Sequence, residues 1–339
     1  MTDRFGRCID YMRVSITDRC NLRCRYCMPD GIRLAQHCDI LSYEDILRIC
    51  GLAVSLGIVK FKVTGGEPLV RKGCTDFITR LKALPGVEQV TITTNGLLLM
   101  DSLPRQAEGY QTGTSLNNLD ALCDAGIDGI NISLDTMCEA EYKKLTGYSG
   151  EAVSIIKRAL VKCTERDLRV KVNTVLLART LNSLSHVAGL AAELPVDVRF
   201  IELMPIGKGT ETEGISVEAA FRRLTKSWPD IRPIKEKRGN GPAHYYTAAG
   251  LKGRIGFIDA MSHRFCGECN RVRLTATGDF KPCLCYDAAV DLRALLRNGR
   301  SDTDIMAAMN DCMWQKPRAH CFSRVQSVTE KKTMNRIGG

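Results

Sequence analysis

Six of the sixteen cysteines fall into two trios. Cys20, Cys24 and Cys27 stand in "DRCNLRCRYCMPD" with the spacing C-x3-C-x2-C. Cys266, Cys269 and Cys283 are spaced C-x2-C-x13-C, with Cys285 two positions further on. Three thiolates can hold three irons of a [4Fe–4S] cubane, whose usual complement is four cysteines. Each trio therefore predicts a cluster with one iron open to a small molecule. Zinc is the competing reading. The first trio would then need a distant fourth ligand. The second would be a ribbon, although Cys283-x-Cys285 is not the expected second C-x2-C pair. Cys285 reads as a spare thiol or an alternative ligand. Arg271 and Arg273 in "NRVR" follow Cys269 directly, and two arginines beside a cluster suit bidentate binding of phosphate or carboxylate.

The remaining chemistry is bounded by composition. Cys50, Cys123 and Cys163 sit among apolar residues and read as small buried hydrophobes. The start "MTDRFGRCIDYMRVSITDRC" carries no apolar stretch with a cleavage site and no Arg- and Ser-rich leader. No apolar run reaches the length of a membrane span. These features predict a cytoplasmic protein whose cysteines are not a disulfide scaffold. The formal net charge is +10 over 339 residues, yet no five basic residues run together. That favours a small anionic substrate over a nucleic acid or a membrane surface. No G-x4-G-K-[ST] phosphate loop is present.

The elements that must position these groups alternate. Strands are predicted at 11–17, 58–64, 87–94, 127–134, 168–176 and 196–203. Helices are predicted at 42–57, 74–84, 117–125, 151–167 and 181–193. Ser42 suits the N-cap of the first helix, with Asp45 in a capping-box position and Gly57 at its end. Six strand–helix repeats predict parallel βα units, hence an α/β fold: a partial (β/α)6 TIM-like barrel. The unusual motifs follow the strands, at the rim where such barrels carry their sites. They are the first cysteine trio, "TGGEP", "TTNG", "SLD" and "ELMP". Residues 97–118 form a long polar connection that reads as a surface insertion. Two regions are predicted: 1–210, the partial barrel with that insertion, and 211–339, which carries the second trio and ends in Gly-Gly.

These motifs together resemble one family. C-x3-C-x2-C with Tyr26 inside it is similar to the signature of the radical S-adenosylmethionine enzymes. With "KFKVTGGEPLVRK", "TTNG", "NISLD", "KVNTV", "FIELMP", "FCGECNRVRLTATGDFKPCL" and the terminal "MNRIGG", the chain resembles the GTP 3′,8-cyclases of molybdenum cofactor biosynthesis. The resemblance implies two [4Fe–4S] clusters, on Cys20, Cys24 and Cys27 and on Cys266, Cys269 and Cys283. It implies that S-adenosylmethionine is cleaved to a 5′-deoxyadenosyl radical, which takes hydrogen from C3′ of GTP. Ring closure onto C8 then gives 3′,8-cyclo-7,8-dihydro-GTP. Tyr26, Gly66, Ser133 and Met204 would touch S-adenosylmethionine, with Gly66 letting backbone approach it. Arg13, Lys62, Thr93, Lys171, Arg271, Val272 and Arg273 would contact GTP, and Arg71 is a weaker phosphate candidate. Arg271, Arg273, Gly338 and Gly339 would support catalysis, the last two on a tail inserted into the cavity. The implied partners are an external electron donor, a second copy in a homodimer, and the cyclic pyranopterin monophosphate synthase (MoaC) that takes the product.

Two other readings make different expectations. A peptide-modifying radical enzyme would carry more C-terminal cysteines in another spacing, without "NRVR" or the Gly-Gly end. A zinc or iron–sulfur protein binding RNA would leave "TGGEP" unexplained.

Overall fold

Six parallel strands appear where the alternation predicts them: β1 (Tyr11–Ser15), β2 (Lys60–Thr64), β3 (Gln89–Thr94), β4 (Gly129–Ser133), β5 (Val170–Leu176) and β6 (Asp197–Glu202). The computed structural model describes residues 1–101, 117–236 and 238–338. Helices α1 (Tyr43–Ser55), α2 (Cys74–Lys82), α3 (Asn118–Asp124), α4 (Glu139–Thr146), α5 (Ala152–Thr164) and α6 (Leu184–Glu193) fall between the strands. Ser42 caps α1 as expected. Its Oγ accepts from Asp45 N at 3.0 Å, and the Asp45 carboxylate accepts from Ser42 N at 3.3 Å. Helix α4 was not predicted; its residues "EAEYKKLT" are mostly polar, and only Tyr142, Leu145 and Thr146 are buried.

The C-terminal third adds α7 (Val217–Leu224), β7 (Arg232–Ile234), β8 (His244–Thr247), β9 (Ile255–Ile258), β10 (Arg271–Leu274), β11 (Asp279–Lys281), β12 (Val290–Asp291), α8 (Leu292–Arg297), α9 (Asp302–Trp314) and α10 (Met334–Ile337). The sheet order is β12-β11-β10-β1-β2-β3-β4-β5-β6-β9-β8-β7. Strand β10 pairs parallel to β1 and β9 pairs parallel to β6. Residues beyond 210 thus extend both edges of the expected six-stranded unit, and eight consecutive strands run parallel.

Period-two alternation sorts the side chains. In β3, Val90, Ile92 and Thr94 are buried, while Gln89, Thr91 and Thr93 face the other way, half-buried. Strand β5 alternates in the same manner, with Lys171 and Asn173 on the half-buried face. The apolar face packs against the helices in one continuous core. The polar face encloses a cavity of about 460 Å³.

The 97–118 connection is only partly the surface insertion that its composition suggests. Leu97 and Leu99 are core residues at 4% and 0% exposure. Asn118 N donates to Asp101 O at 3.1 Å, which brings the two ends of the segment together. Residues 102–116 lie outside the described residues.

Candidate active site

The cavity is lined by one face of the parallel strands. Arg13 of β1, Lys62 of β2, Thr93 of β3, Asn131 of β4, Lys171 and Asn173 of β5, Arg199 of β6 and Arg271 of β10 all border it. Register explains the convergence. Arg273, Arg13 and Lys62 are paired neighbours across β10, β1 and β2. Asn131 pairs with Lys171, and Asn173 with Arg199. Burial pushes the Lys62 ammonium well below the ordinary lysine value, helped by Arg199, Arg13, Lys171 and Arg271. Lys171 is lowered to about 8, chiefly by burial and then by Arg199. Arg273 is lowered for the same reason, burial first and Arg13 and Arg271 next. Of the acids at the cavity wall, Asp197 and Glu236 pair with Arg238 at 3.1 Å, and Asp128 pairs with Lys82. A half-buried group of like charges of this kind calls for a polyanion.

The loop after β1 carries the first trio. Arg23 N donates to Thr146 O (2.7 Å) and Arg25 N to Leu145 O (3.1 Å), anchoring the loop to the end of α4. A turn from Cys24 O to the amides of Cys27 and Met28 brings the second and third cysteines together. All three thiols are free. Burial raises Cys20 to about 11 and Cys27 to about 12, and Cys24 is raised by burial and then by Cys27. Three soft donors delivered by one loop suit an iron–sulfur core, which binds thiolates. Buried Asp18 Oδ1 and Thr64 Oγ1 lack a hydrogen-bond partner here, in keeping with a polar ligand beside them. Among the described residues no three His, Cys, Asp or Glu side chains form a single-ion site.

The "TGGEP" segment is wedged against this loop. Gly66 N donates to Thr17 O at 2.8 Å and Glu67 N to Arg19 O at 2.8 Å. A Cβ on Gly66 would lie 2.4 Å from Arg19 O. The glycine thus admits the backbone of the cysteine loop, a packing reason that the sequence does not reveal. Gly66→Ala should destabilise the fold by roughly 1–3 kcal/mol, read as a lower denaturation midpoint. Glu67 is buried and accepts from Leu69 N (3.1 Å), Thr94 Oγ1 (2.8 Å) and Asn95 N (2.7 Å), joining β2 to β3. Ser133 ends β4, half-buried. The Tyr26 hydroxyl donates to Asp135 Oδ2 at 2.7 Å, which fixes the trio against the end of β4. Met204 packs among Ile206, Cys285, Cys321, Phe322 and Ile337.

The second trio lies at the opposite end of the strands. Cys266 and Cys269 precede β10, which is parallel to β1, and Cys283 follows antiparallel β11. Burial would raise Cys269, but Arg271 and Lys316 beside it outweigh burial and bring it down to about 6. That favours the thiolate, the form that ligates metal, so these residues too fit an iron–sulfur cluster. The Cys285 sulfur is 3.2 Å from that of Cys321, in an apolar cluster against which Cys283 also packs.

Gly338 lies beside β1, β2 and β10. Gly338 has φ 85°, open to glycine without strain, and Arg273 Nη1 donates to its carbonyl at 2.7 Å. A Cβ there would lie 2.8 Å from Ser15 Cβ and Thr64 Oγ1. Asn335 Nδ2 donates to Asp18 O at 2.9 Å. Gly339 lies outside the described residues.

Two expected residues have other surroundings. The Val272 side chain is in the core, so only its backbone can face a ligand. Arg71 is spent on structure: it donates to the carbonyls of Ile16 and Leu41 and stacks 4.0 Å over the Tyr43 ring. Two residues escaped the sequence pattern. Arg199 is held at Asn173 Oδ1 (3.0 and 2.5 Å) and Asn131 Oδ1 (3.0 Å), aimed into the cavity. Its signal was a lone cation in the apolar strand "VDVRFIEL", the same pattern that marks Lys62 and Lys171. Glu202 of "ELMP" was also missed. It accepts from the amides of Val217, Met261 and Ser262 and so ties β6 to the C-terminal third.

The fold has close counterparts. The crystal structure of Streptococcus suis SuiB bound to S-adenosylmethionine superposes with a TM-score of 0.62 at 13% identity, covering 96% of this chain and 76% of that one. Residues 14–190 match the model of the Radical SAM superfamily, and residues 196–322 match Molybdenum Cofactor Synthesis C. The fold and the site are those of a radical S-adenosylmethionine enzyme. The chain is 38% identical over 341 residues to a GTP 3′,8-cyclase of Clostridium perfringens, covering 100% of both. It is 39% identical over 347 residues to one of Heliobacterium modesticaldum, again covering 100% of both. The chain belongs to the GTP 3′,8-cyclase family.

Proposed function

We propose that this chain converts GTP to 3′,8-cyclo-7,8-dihydro-GTP, the first step of molybdenum cofactor biosynthesis, inside the cavity lined by the polar face of its parallel strands. The observation that carries this reading is the group of cations Arg13, Lys62, Lys171, Arg199 and Arg271 on the cavity wall. When bound, a cluster on Cys20, Cys24 and Cys27 together with S-adenosylmethionine supplies the radical, and one on Cys266, Cys269 and Cys283 meets the guanine. Arg13, Lys62, Lys171 and Arg199 neutralise the triphosphate. Arg271, Arg273, Thr93 and the backbone of Val272 orient the nucleoside. Tyr26, Gly66, Ser133 and Met204 border the S-adenosylmethionine position. Gly338, whose carbonyl accepts from Arg273, closes the site from water, and Gly339 would support catalysis. Residues 1–210 act as the radical-generating region and 211–339 as the substrate-holding one. The enzyme works in the cytoplasm as a homodimer, takes electrons from an external donor and passes product to a cyclic pyranopterin monophosphate synthase. Among the described residues no helix is long and apolar enough to cross a membrane.

The test is anaerobic reconstitution followed by GTP, S-adenosylmethionine and a strong reductant. GTP-dependent 5′-deoxyadenosine and a cyclised product are expected; their absence from iron-replete protein would sink the reading.

A pH dependence follows from Lys171. Its folded value of about 8 lies below the ordinary lysine value of 10.5. The free protein therefore loses this charge as pH rises through about 8, while bound triphosphate favours keeping it. GTP affinity should be flat below that pH and fall above it, by up to about tenfold per pH unit for one proton. Lys171→Met should weaken GTP binding and flatten this limb of a titration-calorimetry pH series.

A further inference from the structure

Among the described residues four buried cations stand around the second trio, Arg7, Arg273, Lys281 and Lys316, and two of them have a carboxylate. Arg273 has none and donates to Gly338 O at 2.7 Å. Arg7 Nε donates to Asp3 Oδ2 at 2.6 Å. Lys281, two residues before Cys283, faces Glu330 at 2.7 Å. Lys316 is 2% exposed, and among the described residues no carboxylate lies within ion-pair distance of it. Its Nζ donates instead to two backbone carbonyls, Arg271 O at 2.7 Å and Pro282 O at 2.5 Å. Arg271 is two residues past Cys269, and Pro282 immediately precedes Cys283. The ammonium thus sits between the two chain segments that deliver the trio, and its charge is felt at the thiols of Cys266 and Cys269.

The position is enforced from outside. Arg7 Nη1 donates to Cys266 O (2.9 Å) and Arg7 Nη2 to Pro317 O (2.9 Å), with longer bonds to the carbonyls of Lys316 and Arg318. One guanidinium, neutralised by Asp3, ties the 316–318 strap to the loop of Cys266. The strap cannot swing out and carry the Lys316 ammonium to water.

A buried charge without a counter-charge is costly. Three thiolates on a [4Fe–4S] core carry a net negative charge, larger by one when reduced. We infer that Lys316 is a fixed counter-cation of the second cluster beside Arg271 and Arg273, a positioning residue that holds the Cys269 and Cys283 segments together and favours the reduced cluster. This rests on the reading of Cys266, Cys269 and Cys283 as cluster ligands. Nearby charge and hydrogen bonding set cluster potentials, so removal of this charge makes reduction harder.

The experiment compares Lys316→Gln, which keeps donors for the two carbonyls, with Lys316→Arg, which keeps the charge. The ligand reading is checked separately in wild-type protein: Cys266→Ala must lose the iron of one cluster, and if it does not, the ligand assignment fails irrespective of Lys316. Redox titration followed by electron paramagnetic resonance then reads the second cluster. Lys316→Gln should shift its midpoint to more negative potential and leave the first cluster's midpoint in place, while Lys316→Arg stays near wild type. Loss of the second cluster's iron in Lys316→Gln but not in Lys316→Arg would equally support the charge role. An unshifted midpoint in fully loaded Lys316→Gln overturns it. So does equal loss of the cluster in both variants, or failure of cluster-free Lys316→Gln to fold when cluster-free wild type folds.

Discussion

Anaerobically reconstituted Cys266→Ala protein is expected to keep its first cluster and bind S-adenosylmethionine, yet to yield no cyclised GTP. Cys24→Ala is expected to lose 5′-deoxyadenosine formation to background. The separation follows from topology. The first trio lies beyond the C-terminal end of β1, and the second lies where β10 begins and β11 ends. A five-residue strand puts roughly 13–17 Å between the two ends. The first loop is tied to Thr146 and Leu145, the second to Arg7 and Lys316. Neither set of ties includes a cysteine of the other trio. Iron content, electron paramagnetic resonance and product chromatography on both variants read the result. Collapse of both clusters in Cys266→Ala would show that the two ends fold as one cooperative unit instead.

The second large effect concerns stability. Lys281 and Glu330 face each other at 2.7 Å, at 0% and 1% side-chain exposure. The pair is close but poorly aligned, since Lys281 Nζ and Glu330 Oε2 make no hydrogen bond of good geometry. It binds β11 to the segment that leads into α10 and Gly338. Glu330→Gln leaves a buried ammonium unpaired and should cost about 3–5 kcal/mol, seen in urea melts of the full chain. The double variant Lys281→Met/Glu330→Leu should recover most of that loss, because apolar packing removes the desolvation cost from both sides. Equal instability of the single and double variants would place the effect in packing rather than charge. Activity should fall further than stability in Glu330→Gln, as the same segment delivers Gly338 to Arg273.

Much of this was legible from local pattern. Alternation located β1 to β6 within a few residues, and Ser42-x-x-Asp45 fixed the start of α1. The cysteine trios were visible because their spacing is local. The residues that escaped depend on long-range pairing. Nothing in "NRVRL" says that it docks beside β1, so the row Arg273, Arg13, Lys62 emerges only from the register. Arg199 was passed over because its strand reads as core. Only pairing with Asn173 shows that it shares the polar face. Arg71 failed in the opposite sense. Its place after "GGEP" suggested phosphate, but the carbonyls of Ile16 and Leu41 claim it. The contact of Cys285 with Cys321 is another such long-range pairing, invisible in the spacing of the cysteines.

The pairing of β9 and β10 on opposite edges has a consequence for biogenesis. When the first 210 residues have left the ribosome, β1 and β6 still present unpaired backbone on both flanks. The strand that covers β6 follows some forty residues later, and the one that covers β1 about sixty. Exposed parallel edges are templates for association between chains. The nascent N-terminal region is thus at its most adhesive just before its own sequel arrives. A version truncated after residue 210 would be expected to aggregate rather than persist as an isolated radical-generating module.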